Sequence, residues 1–264
     1  NFLSRFYGAP YIGALIYEMV TNPKYNYKDE FFDINNNISF SSTVGKTKGF
    51  KAPHDFWYFW RQHFNLPEIP ISNKEFIKNA DFESFNRELS LIKQAFYRPF
   101  LLKAHIINWY LKSMSENMEN SIFIHISRNP VSAIRSLLKS RKSWHGDVSV
   151  WFSWKPREYE LIKNLDIYHQ VAGQIYFIEK TIIQDRKYLG NKYMIFSYEN
   201  LCNNPEETYY RVLDKVNQFS KIKIEKPYKG EKKFSISNPN TEFDDKKIEK
   251  AYQYFIDNYG DLSY

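Results

Sequence analysis

An α/β fold, in three layers with a central parallel sheet flanked by helices, is what this sequence predicts. Three segments carry the prediction: Arg98–Leu111, Ser121–Arg141 and Lys192–Val216, each a short apolar run followed by a turn and a helical stripe. Strands alternating with helices in this way argue for a parallel sheet covered on both faces.

The middle segment is the most informative. Ser121 to Ser127 is a short apolar run (Ile122, Phe123, Ile124, Ile126) of the kind a parallel sheet buries on both faces. Arg128 stands where that strand should stop. Asn129 can cap the next helix and Pro130 suits its first turn, which sets the boundary closely. Val131, Ile134, Leu137 and Leu138 then form an apolar stripe at helical spacing. The outcome is an Arg at the carboxyl edge of a sheet beside a helix N-terminus, where open α/β folds bind anionic ligands. Its planar fork can grip a phosphate with two hydrogen bonds, and Ser136 on the helix can add a hydroxyl donor.

The first segment repeats the pattern. Phe100, Leu101 and Leu102 read as a strand, and Ile106, Ile107 and Leu111 begin a helical stripe, so Lys103 and His105 fall in the turn between them. In the third, a strand from Tyr193 to Ser197 runs into Tyr198-Glu199-Asn200-Leu201. A helix then starts at Pro205, with Glu206 and Glu207 in its first turn, where the helix dipole favours negative charge.

The remaining elements are simpler. A helix is expected over Phe2–Val20, and Ala52–Phe64 should begin as a loop and continue as an aromatic helix within an otherwise irregular aromatic segment. Lys155–Leu189 reads as one long amphipathic helix after Pro156, and Asp244–Tyr259 as a final one. The prediction is one domain over 1–264, with 39–97 and 143–160 as insertions on the acceptor side of the site.

Arg-Asn-Pro, with a Ser eight residues after the Arg, resembles the 3′-phosphate-binding motif of sulfotransferases that use 3′-phosphoadenosine 5′-phosphosulfate (PAPS). The resemblance implies that Arg128 and Ser136 hold the 3′-phosphate. Lys103-Ala104-His105 resembles the Lys-Thr-His segment of the cytosolic members, with Ala104 in place of the Thr. That implies Lys103 on the phosphosulfate and His105 as general base. Many carbohydrate-type relatives instead have Lys-Ser-Pro here and use a glutamate base elsewhere, and His54 is the second choice for the base in this chain. Tyr198–Leu201 resembles the family's Tyr-Glu-Asp-Leu segment, with Asn200 for the Asp, and implies that Tyr198 packs on adenine. Lys229-Gly230, inside the basic cluster Lys226–Lys233, is a partial match to an Arg-Lys-Gly loop that also grips the 3′-phosphate, where Lys232 and Lys233 could serve instead. The resemblance spans somewhat less than half of the chain and implies the P-loop NTPase-like sulfotransferase fold.

One family feature does not appear. A Gly-rich loop (Pro-x-Ser-Gly-Thr or a close variant) cradles the phosphosulfate in these enzymes and opens their first helix. No such loop precedes Asn1–Val20: either upstream residues exist in the natural protein, the expected case, placing Ser4 and Arg5 just after the loop, or the chain is a degenerate relative that has lost this cradle. Gly45–Gly49 resembles a phosphate loop but lacks a flanking strand and helix.

The implied chemistry suits these residue types. A sulfuryl group passes in line from a phosphate to an acceptor, so catalysis is positioning plus charge stabilisation. An attacking alcohol must lose its proton, which suits His. The leaving adenosine 3′,5′-bisphosphate (PAP) gains charge, which a fixed ammonium stabilises. The expected activity is sulfuryl transfer from PAPS to a hydroxyl or amine of a small-molecule or carbohydrate acceptor, with PAP as product and no metal.

Composition sets the outer bounds. At 264 residues and 43% hydrophobic content, the chain is long enough to bury a core. Its one cysteine, Cys202, excludes a disulfide framework within the chain and fits a reducing, cytoplasmic compartment. No apolar run approaches the ~20 residues of a membrane span. The six histidines show no metal-ligand spacing. The net charge of +7 gathers at Lys226–Lys233 and Lys139–Lys142 rather than in aromatic-flanked basic stripes, so nucleic acid is not the expected partner. A basic balance instead steers an anionic donor. Two rival classes remain: a P-loop-type nucleotide or nucleoside kinase, which needs a complete phosphate loop and magnesium, and a non-catalytic basic protein whose binding to nucleic acid or anionic glycan would fall steeply with salt.

Overall fold

The computed structural model describes residues 9–21, 56–96, 99–220, 223–236 and 243–263, and over these the chain is mostly helical with one pair of parallel strands. It divides into two units, Asn1–Pro67 with Ile71–Ile106, and Glu68–Pro70 with Ile107–Tyr264.

Among its described residues the first unit holds four helices, α1 (Pro10–Thr21), α2 (Trp57–His63), α3 (Asn73–Lys78) and α4 (Phe82–Phe96). Its core is aromatic: Phe59, Trp60, Phe64, Phe76 and Phe85 are buried, and Phe85 lies 4.8 Å from Phe64 and 5.1 Å from Phe59, centroid to centroid. α1 packs on α4, with Tyr17 edge-on to Phe96 at 5.8 Å. The aromatic helix expected before Phe64 is α2. Helices α3 and α4 replace the expected irregular segment, and local caps start them. Ser72 Oγ accepts the Glu75 N–H at 3.2 Å, and Asp81 Oδ1 accepts the Ser84 N–H at 2.9 Å. Hydrogen bonds from the Ser84 N–H and from its side chain hold the Asp81 carboxyl below its ordinary range.

The strand expected at Phe100–Leu102 does not form. Residues 99–104 are irregular, and Leu101 is 84% exposed. Phe100 is drawn instead into the aromatic cluster, stacked on Phe96 at 6.4 Å and edge-on to Phe56 at 6.1 Å. The Phe100 ring is anchored there without a ladder, while Leu101 stays in solvent.

The second unit runs α5 (Leu111–Asn117), β1 (Phe123–Ser127), α6 (Pro130–His145), α7 (Tyr159–Ile162), α8 (Ile167–Asp185), β2 (Tyr193–Ser197), α9 (Tyr198–Asn203), α10 (Pro205–Phe219) and α11 (Asp245–Tyr259). β1 and β2 pair in parallel, from Phe123↔Tyr193 to Ser127↔Ser197. The parallel pairing matches the expectation, whereas among the described residues the sheet has these two strands alone. Burial is also lighter than expected: His125 and Phe196 are buried, but Ile126 is 41% exposed.

Helix α6 has the expected start. Asn129 caps it through Oδ1, Pro130 is its first residue, and Gly146 ends it at φ 71°, a left-handed conformation that favours glycine. Its buried Ile134 and Leu138 meet Ile162 of α7, Val171, Ala172, Tyr176 and Phe177 of α8, and Ile248, Ala251 and Phe255 of α11. Close approach of α8 and α11 needs Gly173, since a Cβ there would stand 2.7 Å from Phe255 Cζ.

The long helix expected over Lys155–Leu189 is broken. Asp166 accepts the N–H groups of Tyr168 (2.9 Å) and His169 (3.3 Å), so it caps a new helix, α8, rather than continuing α7. The expected final helix is α11, capped by Asp244.

The tryptophan-rich stretch between α6 and α7 has no regular structure and is pinned by buried polar groups. Arg141, 0% exposed, donates to Val148 O at 3.3 Å and Gln170 Oε1 at 2.8 Å, and its Cζ lies 4.8 Å over the Trp151 ring. Gln174 donates to the carbonyls of Phe152 (3.0 Å) and Trp154 (2.7 Å). These bonds satisfy backbone groups that a loop would otherwise leave unpaired. Burial pushes the Arg141 guanidinium down to about 10, against a small opposing pull from Tyr159.

Candidate anion-binding site

The site grows from the strand register. In a parallel pair, both chains leave the sheet at the same edge. Since Ser127 and Ser197 are the last register partners, Arg128 and Tyr198 stand side by side at the carboxyl edge. The Arg128 guanidinium carbon lies 4.6 Å over the centroid of the Tyr198 ring. At this distance a cation and an aromatic face attract each other.

Both connections out of the strands are fixed locally. The Asn129 side chain accepts the Ser132 N–H at 3.0 Å, and the Ser197 hydroxyl accepts the Asn200 N–H at 3.0 Å. The Ser127 hydroxyl donates to Phe196 O at 3.4 Å, bridging the strand ends. One cross-link joins the turns: the Asn129 N–H donates to Glu199 Oε1 at 3.4 Å. Arg128 thus sits at the N-terminal end of a 16-residue helix on a tethered backbone. Ser136 lies half-buried on that helix, one helical turn beyond Ser132. Asn200, at the position where the resemblance has Asp, accepts the Asn204 amide at 2.8 Å and so closes α9 internally.

The basic cluster is held against the same part of the unit. The Phe234 N–H donates to Cys202 O of α9 at 2.8 Å, Tyr209 Oη of α10 donates to Lys226 O at 2.9 Å, and the Tyr228 N–H donates to Tyr210 Oη at 3.3 Å. Tyr228 folds back so that its hydroxyl donates to Glu231 O at 2.7 Å, and its Cζ would lie 2.6 Å from a Cβ at position 230. The Tyr228 ring thus closes over the backbone at Gly230. Lys229, Lys232 and Lys233 all present their charge from an exposed loop.

Lys103 and His105 belong to the chain's first unit, not to the unit that carries this set. Both are exposed, Lys103 in the irregular stretch and His105 opening a 3₁₀ turn (His105–Ile107). The turn is where the sequence puts it, but no strand leads into it. His54, Ser4, Arg5 and Gly45–Gly49 lie outside the described residues.

One polar cluster goes unread in the sequence. His125, buried in β1, has Nδ1 2.8 Å from the Tyr193 hydroxyl and Nε2 3.0 Å from Glu179 Oε2 of α8. Burial pushes the Tyr193 phenol up to about 12, with Arg186 opposing and Glu179 adding to the rise. Sequence separation hides such a cluster, since 68 residues part His125 from Tyr193.

No protein-family model, no curated protein and no solved structure matches the chain. Among the described residues no helix is long and apolar enough to cross a membrane, and no three His, Cys, Asp or Glu side chains group as metal ligands.

Proposed function

We propose that this chain is a PAPS-dependent sulfotransferase and that the carboxyl edge of β1 and β2 receives the 3′-phosphate end of the donor. The observation that carries the reading is the placement of Arg128: it follows a parallel strand, starts a capped helix and lies beside the first residue after the neighbouring strand. A helix N-terminus and a guanidinium fork together favour a phosphate. Ser136 adds a hydroxyl donor on the same helix, and the tethered loop with Lys229 and Gly230 adds positive charge beside α9.

In this reading the sheet belongs to the three-layer, P-loop NTPase-like arrangement implied by the resemblance. Lys103 neutralises charge on the bridging oxygen as the S–O bond to the phosphate breaks. His105 takes the acceptor's proton as the new bond to sulfur forms. The acceptor is a small alcohol, an amine or a carbohydrate, and PAP leaves. The lone, buried Cys202 suits a cytoplasmic setting.

Titration calorimetry with adenosine 3′,5′-bisphosphate, against 5′-AMP as control, tests the reading. A clear preference for the 3′-phosphorylated nucleotide is expected. Equal affinity for both, with binding that collapses as salt rises, would leave a non-catalytic basic protein instead.

A further inference from the structure

We infer that the first unit contains an acid-triggered release: protonation of His63 inside the aromatic core frees the Phe100 anchor and, with it, the stretch that bears Lys103 and His105. The inference concerns the first unit alone and stands whatever the second unit binds.

His63 ends α2 and is only 5% exposed. Its neighbours are rings: Phe59 at 5.1 Å, Phe85 at 5.6 Å and Phe64 at 6.4 Å, all steeply inclined to it. Its Nε2 is buried without a hydrogen-bond partner among the described residues. Two opposite charges act on the imidazole, Asp81 ahead of α4 and Arg87 on α4. Glu88, one turn along α4 from Phe85, has its own Oε2 buried without a hydrogen-bond partner. On its own helix, the Arg61 guanidinium lies 5.9 Å over Trp57. Helix α3 buries Phe76 and keeps Lys74, Glu75 and Lys78 exposed. Burial outweighs the pull of Asp81 and holds His63 below its ordinary value of 6.5.

A second proton on this ring places a charged N–H where no acceptor stands. Keeping such a charge out of water costs more than cation–π attraction to the surrounding rings restores. At acid pH the favoured outcome is that the core opens and the imidazolium reaches water. A lowered histidine contributes stability that is fully present above the unfolded value of 6.5 and is lost as pH falls from there through the folded value.

The opening has a route through touching rings. Phe59 meets His63 and stacks on Phe56 at 4.9 Å, and Phe56 is edge-on to Phe100 at 6.1 Å. Phe56 is held at φ 53°, a left-handed conformation that strains an aromatic residue, so its backbone relaxes once its ring loses support. Lys103 and His105 follow Phe100 on an irregular stretch and the 3₁₀ turn after it, with no ladder to hold them.

Hydrogen exchange of the full chain at about pH 7.5 and about pH 5 tests the release, read as protection factors so that intrinsic exchange cancels. Protection in α2 and α4 should fall at least about fivefold at the lower pH, while α10 stays within about twofold. His63→Phe and His63→Leu should each abolish that fall. Wild-type protection that ignores pH, or a fall that persists in both variants, overturns the inference. If neither variant folds, the wild-type NMR spectrum decides: the His63 ring should stay neutral until the α2 signals move. Its titration at the ordinary value of about 6.5 within an intact core overturns the inference. Overhauser contacts between the Phe100 and Phe96 rings should disappear together with α2 protection, and their survival in the opened state would overturn the release of Lys103 and His105.

Discussion

Arg128 lies over Tyr198 because each directly follows its strand's last register partner, Ser127 in β1 and Ser197 in β2. Parallel pairing converts two positions 70 residues apart in sequence into neighbours at one edge. That edge is where an open α/β unit receives its ligand.

Replacing Arg128 tests that edge directly. A charge-assisted bidentate contact is worth about 3 kcal/mol. Arg128→Ala should therefore weaken adenosine 3′,5′-bisphosphate about 100-fold while changing 5′-AMP only slightly. Arg128→Lys keeps the charge but loses the fork, so its loss should be intermediate. Calorimetric titration of the three proteins reads the series, and equal losses for both nucleotides would remove Arg128 from the 3′-phosphate.

His105 is assigned to proton removal, and its replacement should separate turnover from binding. General-base loss typically lowers rate by about 10² to 10⁴. His105→Ala should show that fall in sulfuryl transfer with bisphosphate affinity retained. Normal turnover in this variant would move the base, with His54 the next position to test.

Much of this second unit was legible in the sequence, for reasons that are local. Asn129-Pro130 marks a cap and a first turn, and the α6 apolar stripe follows at helical spacing, so Arg128 is placed to within a residue. Tyr193–Ser197 and Pro205 are found in the same way. Part of what escaped depends on packing partners and part on caps buried in misleading composition. Phe100–Leu102 has the composition of a strand, but stacking of Phe100 on Phe96 decides its fate. Asp166 lies in a run whose amphipathic period continues through it, so the break before α8 is hidden unless its capping capacity is weighed. The capping pair Ser72 and Glu75 was a readable signal for α3 that the aromatic composition of the region obscured.

The Asp166 cap sets part of the acid stability. Burial works against its ionisation, but the His169 side chain at 2.5 Å and the N–H groups of His169 and Tyr168 outweigh it, and the carboxyl is held below its ordinary range. A depressed carboxyl contributes stability that is fully present above the unfolded-state value of about 3.9 and is lost as pH falls through the folded value. Asp166→Ala should cost about 1 kcal/mol at neutral pH. It should also flatten the decline below about pH 4. Urea midpoints across the acid range check both, and a parallel offset at every pH would show that the carboxylate's charge is irrelevant.

Gly173 sets two opposing effects against each other. Alanine is the better helix former by about 1 kcal/mol. Against that, its Cβ would stand 2.7 Å from Phe255 Cζ and 2.9 Å from Ile162 Cγ2, and Phe255 is only 1% exposed and cannot swing away. Overpacking of this kind costs about 1–3 kcal/mol. The packing cost should win, so Gly173→Ala is expected to lower the thermal midpoint, and a rise would mean that α8 and α11 separate easily.

Arg141 carries a buried charge held by neutral groups, with hydrogen bonds going to Val148 O, Gln170 Oε1 and Gln174 Oε1 and its Cζ 4.8 Å over the Trp151 ring. Such a charge is costly by itself, and an apolar replacement of similar length removes that cost. The replacement also strips a donor from Val148 O, Gln170 Oε1 and Gln174 Oε1, of which the buried Gln174 loses most, since a buried acceptor left unsatisfied costs about 1–3 kcal/mol. The second effect should dominate, because Gln174 holds only the later carbonyls, Phe152 and Trp154, and cannot substitute at Val148. Arg141→Met should therefore destabilise the unit by about 2 kcal/mol, with the change concentrated in the loop. Hydrogen exchange would show protection lost over residues 146–152 and kept in α8. Uniform loss across the unit would mean that Arg141 supports the α6–α8 packing as a whole rather than the tryptophan-rich loop.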